Sequence, residues 1–199
     1  MPNFLQQIFS LILIVIFSPI LLIVSIIIFI DDGFPIIFSQ KRVGLNGKIF
    51  HCFKYRSMLR DSEEILQNDK RLMSIYLDND YKIPENLETR YTKYGLFLRQ
   101  SSLDELPQLF NVLFGQMNLV GPRPVVLDEL DHYKDDKKKL FLSVKPGMTG
   151  LWQVSGRSNI DYPERVDFEL SYVKERSFLN DVKILFQTLA VVIAKKGAH

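Results

Sequence analysis

Residues 8–30 are apolar at every position except Ser10, Ser18, Pro19 and Ser25. As a helix this run would extend roughly 35 Å, enough to cross a hydrocarbon core of about 30 Å. No Lys or Arg precedes it and no small-residue cleavage site follows, so the pattern predicts a membrane segment and not a removable leader. Pro19 falls mid-run, lacks an N–H and would collide with the carbonyl of Val15. A kink is therefore expected there, with the Ser18 hydroxyl as a local partner for the freed carbonyl. Past Asp31-Asp32-Gly33 the pattern changes to two β-prone runs, 36–38 and 49–53, flanking Gly44-Leu45-Asn46-Gly47. Asn-Gly between such runs predicts a β-hairpin.

Residues 61–90 are charged and weakly patterned. Ile65, Leu66, Leu72, Met73 and Tyr76 permit a helix that Pro84 ends, which reads as a surface insertion. Ser102 followed by Glu105 has the form of a capping box, and Pro107 suits a first helical turn. Leu106, Leu109, Phe110 and Leu113 recur at helical spacing, so a helix is predicted from about Ser102. Asp104 and Glu105 would lie in its first turn, where carboxylates often only complement the dipole. Adjacent helical residues diverge by about 100°, so the two carboxylates cannot serve one atom. One could face a reacting group while the other holds a cation. Pro122-Arg123-Pro124 reads as a rigid, extended exit. Residues 128–139 read as a charged, solvated helix, and 181–194 as an apolar helix too short to span.

Composition narrows the classes. The chain has 199 residues and a net charge of +2, which gives no nucleic-acid footprint. A lone cysteine, Cys52, excludes an internal disulfide, and His51, His132 and His199 are too scattered for a zinc site. Gly147-Met148-Thr149-Gly150 is weak evidence for phosphate binding. Lys41, Arg42, Lys48, Lys54, Arg56 and Arg60 give the hairpin a basic character that suits anionic lipid or a phosphate.

Three stretches carry a resemblance. The longest, Ser102-Leu-Asp-Glu-Leu-Pro-Gln-Leu-Phe-Asn-Val-Leu followed by Val120-Gly-Pro-Arg-Pro124, resembles the signature of the bacterial sugar transferases, the monotopic phosphoglycosyl transferases. Gln40-Lys-Arg42-Val-Gly44 with Phe53-Lys-Tyr-Arg-Ser-Met58, and Val144 through Ser158, resemble further blocks of that family. The likeness covers essentially the whole chain and leans to the hexose-1-phosphate branch. It implies an α+β, membrane-associated monotopic fold with a kinked re-entrant N-terminal helix, a β-hairpin and interfacial helices around a small catalytic core. Residues 1–31 would be the membrane element and 32–199 the catalytic domain at the cytoplasmic face of the bacterial inner membrane. Ser18-Pro19 matches the family's bend. The family's basic pair and aspartate ahead of the apolar run are missing from residues 1–7, which implies either different anchoring or a start further upstream. Ser57 stands where the family has threonine, and Glu169 where it more often has aspartate.

The resemblance further implies transfer of galactose- or glucose-1-phosphate from a UDP-sugar to undecaprenyl phosphate, releasing UMP and initiating a surface polysaccharide. Asp104 would be the nucleophile, forming a phosphosugar-aspartyl intermediate, and Glu105 the Mg2+ ligand. Lys54, Arg56, Arg123 and Arg157 would bind phosphate, with Arg42, Glu169 and Trp152 as further candidates; Trp152 beside Arg157 would be a uridine-stacking pair or, equally, a core tryptophan with a surface arginine. The partners would be donor, lipid acceptor and the cytoplasmic leaflet, with a homo-oligomer allowed and nucleic acid excluded. A carboxylate approaching a diphosphate is repelled by about 1 kcal/mol per unit pair at 4 Å even in water, so such a site must be rich in cations. The same reaction on an N-acetylated or diamino sugar, and a membrane-tethered module without turnover, are the competing readings.

Overall fold

A computed structural model describes residues 3–79, 83–156 and 160–194. The apolar run forms one helix, α1 (Asn3–Asp32), which continues through Pro19. The Ser18 hydroxyl donates to the Val15 carbonyl at 2.8 Å, the oxygen that Pro19 leaves without an N–H. Length and composition would let α1 cross a membrane, yet one stripe of it belongs to the rest of the fold. Gln6, Ser10, Val24 and Ile28 are buried, and Leu13, Phe17 and Leu21 pack on the cores beside them. These positions recur at three- and four-residue steps, which is one helix face. The stripe's polar groups are paired across it. Gln6 accepts from the Leu119 N–H at 2.8 Å, and Ser10 donates to the Leu109 carbonyl at 2.6 Å. The remaining surface exposes Phe9, Val15, Ile16, Leu22, Ile23 and Ile30 among others, an apolar area larger than water-soluble proteins usually carry.

The hairpin forms as predicted, with β1 (Ile37–Val43) antiparallel to β2 (Ile49–Tyr55) and Arg42 opposite Phe50. Asn46 and Gly47 take φ of 54° and 78° at the tip, the left-handed region that Asn-Gly tolerates best. In β2, Phe50 and Cys52 turn into the core. The insertion folds as α2 (Ser62–Asn68) and α3 (Lys70–Asp78), divided where the Asp69 carboxylate accepts from the N–H groups of Arg71 and Leu72.

The helix expected from Ser102 does not start there. After α4 (Gly95–Gln100) the chain makes a 3₁₀ turn over Leu103–Glu105, and α5 (Gln108–Leu113) begins only beyond Pro107. Ser102 has φ 56° and its side chain makes no capping bond, because a capping residue needs extended backbone to aim its oxygen at the following N–H groups. α5 instead seals the edge of β2 through buried Asn111. Its side chain accepts from Phe53 N–H at 2.9 Å and donates to the His51 carbonyl at 2.6 Å.

Two short parallel strands, β3 (Asn118–Val120) and β4 (Gly147–Thr149), bring the Pro122-Arg123-Pro124 segment against Gly147. A Cβ on Gly147 would run into the Gly121 backbone, so this glycine serves close strand approach. The charged helix expected over 128–139 is also divided, into a 3₁₀ turn (Asp128–His132) and α6 (Asp135–Leu142). The break lets Tyr133 turn inward onto Phe141, ring centroids 4.4 Å apart. α7 (Leu151–Ser155), α8 (Glu164–Glu175) and α9 (Phe178–Ile193) complete the fold. The Tyr172 hydroxyl of α8 ties β3 to α9 through the Val120 carbonyl at 3.1 Å and Asp181 at 2.8 Å. Ile184 of α9 is buried, while Phe178, Leu179, Phe186 and Leu189 form an exposed apolar face.

Asn111→Ala strips partners from two β2 backbone groups at once. It is expected to destabilise by about 3 kcal/mol, read as a lower thermal unfolding midpoint of the detergent-solubilised protein; an unchanged midpoint would contradict this role.

Candidate active site

Asp104 and Glu105 lie in the 3₁₀ turn that packs against β2. Asp104 is 6% exposed. Burial pushes its carboxyl up to about 6; Lys54 opposes the rise, the adjacent Glu105 adds to it, and Arg99 and Arg123 pull it down. Glu105 is held by Lys54 of β2, Nζ to Oε1 2.7 Å, and Arg123 Nη1 lies 3.9 Å from the same oxygen. Two carboxylates and two cations thus meet where the hairpin, the 3₁₀ turn and the Pro122-Arg123-Pro124 segment converge.

Arg123 is positioned from behind by α8. Its backbone N–H donates to both carboxylate oxygens of Glu169 at 3.1 Å, and Glu169 is fully buried. Burial pushes the Glu169 carboxyl up to about 7, against the pull of Arg165 and of the Arg123 N–H. Arg165, one turn earlier on α8, lies over the Trp152 ring at 4.4 Å, and Arg123 approaches the same ring at 5.4 Å. Trp152 is itself buried and its Nε1 donates to the Ile160 carbonyl at 3.0 Å. The ring therefore supports the two guanidiniums from a buried position, the core arrangement that the sequence left open beside uridine stacking. Arg157 lies outside the described residues.

Arg56 also departs from its expected place. It is buried, forms an ion pair with Asp32 at 2.9 Å, and donates to the Asp32 and Gly33 carbonyls at 3.0 and 2.9 Å. These contacts fasten the C-terminal end of α1 to the end of the hairpin. Arg42 stands nearer the centre, pairing with Glu129 at 3.2 Å and donating to the Pro124 carbonyl at 3.1 Å.

Comparison with known proteins fits this arrangement. The profile of the family described as bacterial sugar transferase matches residues 1–195. The chain belongs to the bacterial sugar transferase family. It is 50% identical over 172 residues to the undecaprenyl-phosphate galactose phosphotransferase of Salmonella typhimurium, covering 84% of this chain and 35% of that one. It is 40% identical over 197 residues to the UDP-glucose:undecaprenyl-phosphate glucose-1-phosphate transferase of Klebsiella pneumoniae, covering 96% and 39%. With the exopolysaccharide production protein ExoY of Rhizobium meliloti it shares 38% identity over 185 residues, 92% of this chain and 81% of that one. The chain spans less than half the length of several of the curated relatives that it matches.

Within this family member, two site residues escaped the sequence pattern. Glu129, read as part of a solvated charged helix, accepts from Arg42 and Arg165 at 3.2 Å, from the Val126 N–H at 2.9 Å and from the Tyr162 hydroxyl at 3.3 Å. Burial would raise its carboxyl, yet Arg165, the Val126 N–H and Arg42 hold it below the usual range. Arg165 was the other omission. Its i,i+4 spacing to Glu169 is the one local signal that could have found it.

Among the described residues no three His, Cys, Asp or Glu side chains gather as a metal cluster. Mg2+ needs less than that, since it is commonly held by one or two carboxylates together with substrate phosphates and water. Glu105, about a quarter exposed, fits such a sparse site.

Glu169→Ala removes both the acceptor for Arg123 N–H and a counter-charge for buried Arg165. It is expected to lower stability by about 3 kcal/mol in denaturant or thermal unfolding, with Glu169→Gln costing clearly less because an acceptor remains. Equal losses for the two variants would argue against this positioning role.

Proposed function

We propose that the protein transfers a hexose-1-phosphate from a UDP-sugar to undecaprenyl phosphate, as the first committed step of a surface polysaccharide. The observation that carries this reading is a buried carboxylate, Asp104, set among Lys54, Arg99 and Arg123 with Glu105 beside it. The names of the relatives support the acceptor and point to galactose or glucose as the sugar. An Asp104 oxygen bonds to the phosphorus that carries the sugar, the P–O bond to the uridylate breaks, and UMP leaves with that electron pair. An oxygen of the acceptor phosphate then attacks the same phosphorus and releases the Asp104 carboxylate. Lys54 and Arg123 offset the charge of the diphosphate as the carboxylate approaches. Glu129 and Glu169 keep the guanidiniums of Arg42 and Arg165 and the backbone of Arg123 in place. Mg2+ bound at Glu105 would add charge neutralisation at the leaving phosphate.

Incubation with UDP-galactose or UDP-glucose and no acceptor is expected to raise the intact mass by one phosphohexose, and Asp104→Asn is expected to abolish the adduct. Only the ionised carboxylate attacks, so adduct formation should rise with pH through about 6. Lys54→Met removes the cation that most lowers this pKa, and the rise should move to higher pH. Turnover without any adduct would overturn the covalent route.

The same reading makes the protein monotopic on the cytoplasmic face of the inner membrane. It is supported by the paired polar stripe of α1, because Gln6 near one end and Asp32 at the other both bond to the domain that holds Asp104. A spanning α1 would carry one of those ends across the bilayer. In a Cys52→Ser background, a cysteine at Asn3 is expected to resist an impermeant thiol reagent in intact cells and to react after lysis. Labelling of intact cells would mean a span.

A further inference from the structure

Strand alternation divides β2 into two faces. Lys54 turns to the carboxylates, while Phe53 and Tyr55 turn to a separate cleft between α1, the hairpin and α5. This cleft has a volume of about 500 Å³, and its walls include Leu21, Leu22, Phe53, Pro107 and Phe110. That volume lies within the roughly 300–1,000 Å³ of ligand sites. Its two hydroxyl-bearing residues are already engaged with each other and with backbone. Tyr55 Oη lies 3.1 Å from Ser25 Oγ and donates to the Leu21 carbonyl at 2.7 Å, and Ser25 Oγ donates to the same carbonyl at 2.7 Å. What remains facing the cleft is carbon and aromatic ring, so an occupant gains by being hydrocarbon.

We infer that this cleft holds the prenyl chain of the acceptor, next to its phosphate, and so sets the reach of that phosphate to Asp104. The inference rests on the proposed function for the identity of the acceptor. Two observations select this occupant over an aqueous ligand. One wall is α1, where Leu22 continues the exposed apolar surface formed by Ile23, Ile26 and Ile30, so a chain enters from the bilayer without crossing water. The lining also includes Phe53, next to Lys54, and Pro107, two residues past Glu105, so the two segments that carry the Lys54–Glu105 pair also border the cleft. An apolar cleft built on the same segments as the Lys54–Glu105 pair suits a lipid whose head is a phosphate.

Leu22→Trp narrows the cleft from an exposed position on α1 and leaves the buried stripe alone; Ile23→Trp, on the outer surface, is the control. In nanodiscs, Leu22→Trp is expected to raise the KM for undecaprenyl phosphate about tenfold, the effect of losing about 1.4 kcal/mol of binding. The UMP burst measured without acceptor is the comparison. An equal loss in that burst, or equal behaviour of the two tryptophan variants, overturns the assignment. Should no UDP-sugar release UMP, the proposed function itself fails, and binding decides the cleft separately. A prenyl phosphate with a photoreactive group near its head is expected to label α5 or β2 at the cleft and to be displaced by undecaprenyl phosphate but not by phosphatidylglycerol. Displacement by both lipids would mean a general lipid groove and overturn the inference.

Discussion

A carboxylate taken out of water beside a second carboxylate is costly unless positive charge is fixed near it. Asp104 is in that position, and most of the fold can be traced to the groups that make it tolerable. Lys54 needs a strand whose edge is held, which Asn111 provides. Arg123 needs a rigid segment, which Gly121, Gly147 and the two prolines provide, and a buried acceptor for its N–H, which Glu169 provides. Arg165 and Glu129 then balance Glu169 and Arg42. Removing one layer leaves the next with an unpaired charge, so the site and the core around it form a single network. Its pairs are worth more together than surface ion pairs are singly.

The long apolar helix α1 enters the same network from the other side. In α1 the polar interruptions are not random tolerance of serine and glutamine in an apolar run. Gln6 and Ser10 satisfy backbone groups of β3 and α5, and the Asp32 end is clamped by Arg56. Every such group would be expensive in hydrocarbon without a partner. The pairing therefore makes the helix part of the domain and leaves only its apolar surface unpartnered among the described residues. Under the proposed function, that apolar surface is where a lipid acceptor would approach.

Local chemistry alone accounts for much of what was legible in the sequence. The hairpin follows from Asn46-Gly47 between β-prone runs, the Val15 carbonyl finds Ser18 because both lie in one turn, and the length of α1 follows from unbroken apolar residues. Asp104, Glu105, Lys54 and Arg123 were singled out because two stretches of residues resemble a family, not because their spacing demanded chemistry. What only the tertiary structure decided involves partners far apart in the chain. Ser102 and Glu105 have capping-box spacing, but Ser102 adopts a left-handed conformation and the carboxylates sit in a 3₁₀ turn. Glu129 looks solvated until Arg42 and Arg165, respectively 87 and 36 residues away, close on it. Arg56 matches a phosphate-binding motif and yet clamps a helix end. Sequence periodicity reports which face of an element is apolar, whereas the partner of a buried charge depends on how distant elements pack, and no local pattern encodes that.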